Sequence, residues 1–270
     1  MTEHKTANNA PIGIFDSGVG GLTVLTEVQK ALPNESVIYV GDTINVPYGS
    51  KSYDELLQYG RHIIKFLLKQ NVKAIVLACG TTSSTVYEQL AREFPVPLID
   101  VIRPGVRACA ELTGQSQGIG LIATAATVKS GLFGKLLKAE KPSVQFYAQA
   151  CPLFALMVET GITHGPLAKW ATQTYVGGWR GKIDALVLGC THYPLLSDVL
   201  ADVLGVDVKL INLATYTAQA LKAQLVALGG LSDDNAPPEY KFYVSSDPGA
   251  FNKSARFLLH GDLFKPACLF

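Results

Sequence analysis

Charge is scarce in this chain of 270 residues. Asp, Glu, Lys and Arg together make up only 17%, and the formal net charge is +1. No long basic run occurs, which argues against nucleic acid as the main partner. No apolar run reaches the roughly 18 to 20 residues that a membrane helix needs, so no membrane partner is expected. The polar opening, Met1 to Ala10, lacks the apolar core of a signal peptide. A cytoplasmic location is therefore expected. Cysteine is sparse as well, with five residues at 79, 109, 151, 190 and 268 and no Cys-x-x-Cys pair. An odd set of scattered cysteines without a leader argues for free thiols. The histidines and cysteines show no paired ligand spacing, so no metal is expected. A Walker loop and a GxGxxG fingerprint are both missing. Nothing signals a pyridoxal group, and the expected cofactor is none.

Apolar residues are plentiful at 48%, enough for a substantial core. Strand-like and helix-like segments alternate along the chain. Ile12 to Phe15, Val37 to Val40, Ala74 to Cys79 and Pro97 to Ile102 read as a first series of strands. Gly118 to Ala123, Val144 to Ala148, Ala185 to Cys190 and Val208 to Leu213 read as a second. Leu56, Leu57, Ile63, Ile64, Leu67 and Leu68 recur at helical spacing and form one apolar face. Leu195, Leu196, Val199, Leu200 and Val203 mark another helix. The tail adds a strand, Tyr240 to Ser245, and a helix near Phe251 to Leu259. This pattern predicts an α/β fold of mainly parallel sheets flanked by helices. Arg103-Pro104-Gly105 reads as a crossing between two pseudo-equivalent domains and Asn212 to Thr215 as the return. The first domain then spans 11–101 plus 213–264, and the second 102–212. Gly229 to Pro238 reads as an exposed loop.

Two of the cysteines stand in matching settings. Ile75-Val76-Leu77-Ala78-Cys79 and Ala185-Leu186-Val187-Leu188-Gly189-Cys190 are each a short apolar run ending in a thiol, with Thr81 and Thr191 close behind. Such runs read as buried parallel strands, and ligands bind at the carboxyl ends of those strands. Two thiols meeting across a cleft can serve opposite faces of one substrate carbon, as racemisation requires. A lone strand cysteine is more often a small buried hydrophobe, and Cys109, Cys151 and Cys268 are read that way. A thiol at a helix start has a lowered pKa, so a raised thiolate fraction is expected at both strand ends.

Other motifs carry a structural reading beside a functional one. Phe15-Asp16-Ser17-Gly18-Val19-Gly20-Gly21 is either a tight turn capped by Asp16 or Ser17, or a loop approaching a ligand. Gly41-Asp42-Thr43 and Pro47-Tyr48-Gly49-Ser50 are turn punctuation or a loop over the substrate. His192, two residues past Cys190, can relay that thiol's proton, and Pro194 suits a first helical turn.

Together these stretches resemble the glutamate racemases of the cofactor-independent aspartate/glutamate racemase superfamily. The likeness runs from about Pro11 to Phe264. It includes Leu188-Gly189-Cys190-Thr191-His192-Tyr193-Pro194, Val101-Ile102-Arg103-Pro104-Gly105, Ala150-Cys151-Pro152 and Val158-Glu159-Thr160-Gly161. The resemblance implies two α/β domains with the active site in the cleft between them. It implies a two-cysteine interconversion of L- and D-glutamate, supplying D-glutamate for peptidoglycan in a bacterial cytoplasm. It makes Cys79 and Cys190 the acid/base pair, with Cys79 acting on the D-isomer and Cys190 on the L-isomer. It makes Asp16, Asp42, Glu159 and His192 assisting groups. Asp16, Ser17, Tyr48, Gly49, Gly80, Thr81, Thr191 and His192 become substrate contacts. Glutamate is the implied partner, and the oligomeric state stays open with a homodimer as candidate. The alternatives are an aspartate racemase, an arylmalonate-decarboxylase-like enzyme, or a non-catalytic amino-acid binder. One departure stands out. The family usually reads Ala-Cys-Asn-Thr-Ala around the first thiol, whereas this chain reads Ala78-Cys79-Gly80-Thr81-Thr82.

Overall fold

The computed structural model describes residues 8–112, 118–233, 236–259 and 267–268. The strands in chain order are β1 (Ile12–Asp16), β2 (Val37–Gly41), β3 (Ala74–Leu77), β4 (Leu98–Asp100) and β5 (Ile119–Ala123). They continue with β6 (Phe146–Ala150), β7 (Ala185–Leu188), β8 (Lys209–Asn212), β9 (Tyr240–Val244) and β10 (Ala267–Cys268). Every residue of β1, β2, β3, β5 and β7 is buried, as parallel strands covered on both faces should be. Two sheets result, ordered β10-β9-β2-β1-β3-β4 and β6-β5-β7-β8, with all pairings parallel.

The orders β2-β1-β3-β4 and β6-β5-β7-β8 are the same pattern. In each, the chain steps to one side of its first strand and then to the other. The switch points lie between β1 and β3 and between β5 and β7, where an open α/β sheet forms its crevice. The chain passes between sheets through helices. Arg103-Pro104-Gly105 lies in the first turn of helix Ile102–Leu112. The return runs through helix Leu213–Ala227, whose N-cap is Asn212, its side chain accepting from the Ala214 N–H at 3.1 Å.

Several boundaries differ from the sequence reading for local reasons. β3 and β7 stop at Leu77 and Leu188, two residues short of each cysteine. β4 ends at Asp100 because its side chain accepts the Ile102 and Arg103 N–H groups and starts the next helix. β6 runs two residues later than expected, since Val144 is held in a turn by the Lys141 carbonyl. β8 yields Leu213 to the helix that Asn212 caps. β10 was not expected. Helix Tyr53–Lys69 opens with a capping box between Ser52 and Glu55, and five of its six expected core leucines and isoleucines are buried, Leu68 being half-buried.

The loop expected to be exposed after Gly229 is partly pinned. Lys73 and Glu35 form an ion pair at 2.6 Å with side chains only 1% and 3% exposed. That contact is close enough for charge pairing but lacks hydrogen-bond alignment at Glu35 Oε2. Lys73 Nζ also donates to the Gly230 carbonyl at 2.8 Å and the Asn8 carbonyl at 2.5 Å. Glu35 Oε1 accepts from the Ser232 N–H at 2.8 Å. Residues 234–235 of that loop, and the expected end of the first domain at 264, lie outside the described residues. No helix among the described residues is long and apolar enough to cross a membrane. Removing one partner of a buried pair strands the other charge and costs about 3–5 kcal/mol. Lys73→Met should therefore destabilise the fold by an amount of that order, read as a lower urea unfolding midpoint, and an unchanged midpoint would show that Glu35 needs no counter-charge.

Candidate active site

The two sheets point their carboxyl ends at each other. Between them lies an open cleft of about 520 Å³. Its lining includes Ser17, Tyr48, Gly49, Cys79, Gly80 and Thr81 from the first half, and Glu159, Cys190, Thr191 and His192 from the second. The structure thus brings ten of the twelve expected site residues to one cavity. Asp16 and Asp42 stand behind this lining. Asp42 accepts from Tyr48 Oη at 2.6 Å, from Asn45 Nδ2 and from Ser245 Oγ at 2.8 Å. Its visible work is to hold Tyr48 in the wall. Asp16, at the end of β1, is buried and accepts the Gly21 and Gly18 N–H groups through Oδ2 at 2.9 and 3.3 Å. Its Oδ1 has no protein partner. Burial raises its pKa, against the pull of His192 and the loop N–H groups.

Sequence reasoning missed Thr124, Val46 and Ala155 in the lining. Thr124 could have been found. It follows β5 as Ser17 follows β1, at the equivalent switch point. Its hydroxyl shares a hydrogen bond with Thr81 at 2.9 Å and another with Thr127 at 3.0 Å. The Thr81 bond joins the two halves, as does Thr23 Oγ1 donating to the Thr191 carbonyl at 3.1 Å.

Glycines let the halves come this close. A Cβ on Gly20 would run into Thr191 Oγ1 and the His192 ring. A Cβ on Gly80 would run into the Gly189 carbonyl oxygen, well inside contact distance. The departure at Gly80 therefore has a structural correlate: the chain after Cys79 lies against the backbone that leads to Cys190.

The two thiols differ in surroundings. Cys190 Sγ lies 3.6 Å from His192 Nδ1, and His192 Nε2 donates to Glu159 Oε1 at 3.0 Å. Burial opposes charge on His192, but its bonds to Cys190 and Glu159 outweigh that and lift it to about 10. Cys79 has no cationic neighbour of this kind. Burial and then the Asp16 carboxylate push its thiol up to about 11, against the Thr82 N–H. The expected lowering of Cys79 by the helix start is overturned, because desolvation is the larger effect. Cys109 and Cys151 are buried thiols that burial also pushes up, and Cys268 is exposed. No group of three or more His, Cys, Asp or Glu among the described residues is placed to hold a metal ion.

The racemase family model described as "Asp/Glu/Hydantoin racemase" matches residues 20–221. The chain belongs to the Asp/Glu/hydantoin racemase family. Within this racemase family, it is 41% identical over 253 residues to a glutamate racemase of Geobacter metallireducens, covering 93% of each chain. It is 44% identical to one of Corynebacterium diphtheriae, covering 93% of this chain and 95% of that one. The solved structure of a glutamate racemase from Francisella tularensis in complex with D-glutamate superposes with a TM-score of 0.90 at 35% identity, covering 97% of this chain and 98% of that one.

Two expected outcomes follow from this racemase cleft. Gly80→Asn must displace backbone, not a flexible side chain, and overpacking of that kind costs about 1–3 kcal/mol. Turnover should fall roughly tenfold or more if that strain falls on the closed cleft; a rise in kcat/KM would show that the halves part freely. Glu159→Gln should lower the His192 ring midpoint from its position near 10, read by NMR titration. The raised pKa makes a stabilising contribution that is complete below about pH 6.5. It is lost as pH rises through about 10, and Glu159→Gln should shrink it.

Proposed function

We propose that this protein interconverts L- and D-glutamate with two cysteines and no cofactor, inside the bacterial cytoplasm, to supply D-glutamate for peptidoglycan. The observation that carries this reading is the placement of Cys79 and Cys190 at equivalent strand ends on opposite walls of one cleft. Proposed boundaries for the halves are 11–101 plus 213–264, and 102–212. A single protonating thiol would serve a decarboxylase, so the second thiol favours racemisation.

Each residue then has a physical task. Cys190, beside a protonated His192, takes the α-proton of the L-isomer, and the imidazolium balances the negative sulfur. Cys79, held as a thiol by burial, gives a proton to the opposite face. In the reverse direction Cys79 must become the base, which its surroundings make harder. Glu159 orients His192 and keeps it charged. The hydroxyls of Ser17, Thr81, Thr124 and Thr191 line the cleft as donors to the substrate's carboxylates. Asp16, behind the lining, keeps one buried carboxylate oxygen without a protein partner and acts on the cleft through its negative charge. Exclusion of water once substrate fills the cleft would strengthen each of these contacts as carbanion character develops.

The test uses circular dichroism on separate L-Glu, D-Glu, L-Asp and D-Asp solutions. Ellipticity should decay to zero for both glutamate isomers and much more slowly for aspartate. Cys79→Ala and Cys190→Ala should each lower the glutamate rate at least about a hundredfold, a proton-transfer loss, with the fold intact. Cys109→Ala, remote in the second sheet's core, should keep the rate. Full activity in either of the first two variants would overturn the two-thiol mechanism.

A further inference from the structure

The turn after Cys79 is crowded with hydroxyls, and nearly all are committed. Thr81 Oγ1 shares its bond with Thr124. Ser83 Oγ donates to the Leu77 carbonyl at 2.9 Å and accepts from the Val101 N–H at 3.3 Å. Ser84 and Thr85 both donate to the Thr81 carbonyl, at 3.2 and 2.7 Å. Thr82 is the exception. It is fully buried, and its Oγ1 has no hydrogen-bond partner. A buried hydroxyl left unpaired is costly and calls for a purpose. Thr82 sits three residues past Cys79, which occupies the cap position of helix Gly80–Thr85 without a formed side-chain bond. Both its N–H and its hydroxyl lie where they favour negative charge on the Cys79 sulfur.

We propose that Thr82 is a specialised thiolate-holding residue, its hydroxyl donating a hydrogen bond to Cys79 Sγ when that sulfur carries the negative charge. A thiol sulfur is only a weak acceptor, so the interaction favours the base form. It offsets the groups that work against a charged sulfur. These are burial, Asp16 at the end of β1, and Cys190 across the cleft. Tyr39 on β2 and Tyr48 in the following loop also face Cys79 electrostatically. The cation that assists Cys190 has no counterpart here, and a neutral donor takes its place. The inference rests on Cys79 being an acid/base of the proposed reaction.

The test is Thr82→Val, which keeps the shape and removes the donor, with Thr82→Ser as the conservative variant. Thr82→Ala makes the same comparison if valine does not fold. Cys79 is labelled with iodoacetamide between roughly pH 7 and 9, where the rate follows the thiolate fraction, and read peptide by peptide by mass spectrometry. Losing one hydrogen bond to a charged sulfur should raise the pKa by about one unit, so labelling should slow about tenfold. Cys190 in the same sample should label at its wild-type rate. Glutamate kcat/KM should fall about tenfold alongside it. That fall must be equal from L and from D, because the equilibrium constant of racemisation is one. Thr82→Ser should restore both readouts. Wild-type labelling of Cys79 in Thr82→Val would overturn the inference, even with kcat/KM reduced, since a packing role alone would lower turnover and leave the thiolate fraction unchanged. Cys79→Ala separates the two levels. If that variant still racemises, the assignment of Cys79 fails and the Thr82 inference with it. If it is inactive while Thr82→Val behaves as wild type, only the Thr82 inference fails.

Discussion

The backbone after Cys79 lies against the backbone before Cys190, and the rest of the site is arranged around that contact. Gly80 meets the Gly189 carbonyl with no room for a Cβ, and Gly20 meets Thr191 and His192 in the same way. Parallel sheets make this possible. Their strands all end on one edge, so two sheets facing edge to edge bring several strand ends to one cleft. Hydrogen bonds from Thr81 to Thr124 and from Thr23 to Thr191 then hold the edges together. Any residue with a side chain at Gly80 or Gly20 would set the distance between the walls, and so the distance between the thiols.

Within that cleft, charge is distributed unevenly. Cys190 has an imidazole neighbour that Glu159 holds charged, whereas Cys79 has a buried carboxylate. A two-base site requires one thiol to be protonated while the other is not. Uneven surroundings select which arrangement is favoured at rest: Cys79 carries its proton. In the proposed two-thiol reaction, each turnover from L to D leaves the opposite arrangement, which the site must then reset. The group that eases the less favoured state has the most leverage on that step, and the unpaired Thr82 hydroxyl, three residues past Cys79, is an uncommitted donor in that turn.

Much of this was legible in the chain. The apolar runs before Cys79 and Cys190 located two strand ends, since continuous burial is what a central parallel strand requires. The shared cleft followed from the motifs around them. Other features depend on distances that linear order conceals. Asp42 looked like a cleft residue, but its partners Tyr48, Asn45 and Ser245 draw it behind the wall. Thr124 carried no motif and becomes visible only when β5 is seen to repeat the position of β1. The Cys79 environment was misjudged because a cap position suggests stabilised charge, while burial cannot be read from the cap alone. Strand ends slipped by one residue where Asn212 caps the helix that follows and by two where Asp100 does.

The repeated strand pattern also shows how little the fold alone decides. β3 and β7 occupy equivalent places, and each is followed two residues later by a thiol. What differs is the next turn. After Cys79 come Gly80, Thr81 and Thr82, small or hydroxylic, and the helix they begin presents neutral donors. After Cys190 come Thr191, His192 and Tyr193, and Tyr193 anchors that turn by donating to the Cys151 carbonyl at 2.9 Å. The anchoring aims His192 at both Cys190 and Glu159. The same scaffold position therefore yields a thiol assisted by a cation in one half and a thiol assisted by neutral donors in the other. A reaction that runs equally well in both directions does not need its two walls to be chemically alike. It needs the free energies of the two protonation arrangements to lie close enough for each to be reached, and the residues of these two short turns set that difference.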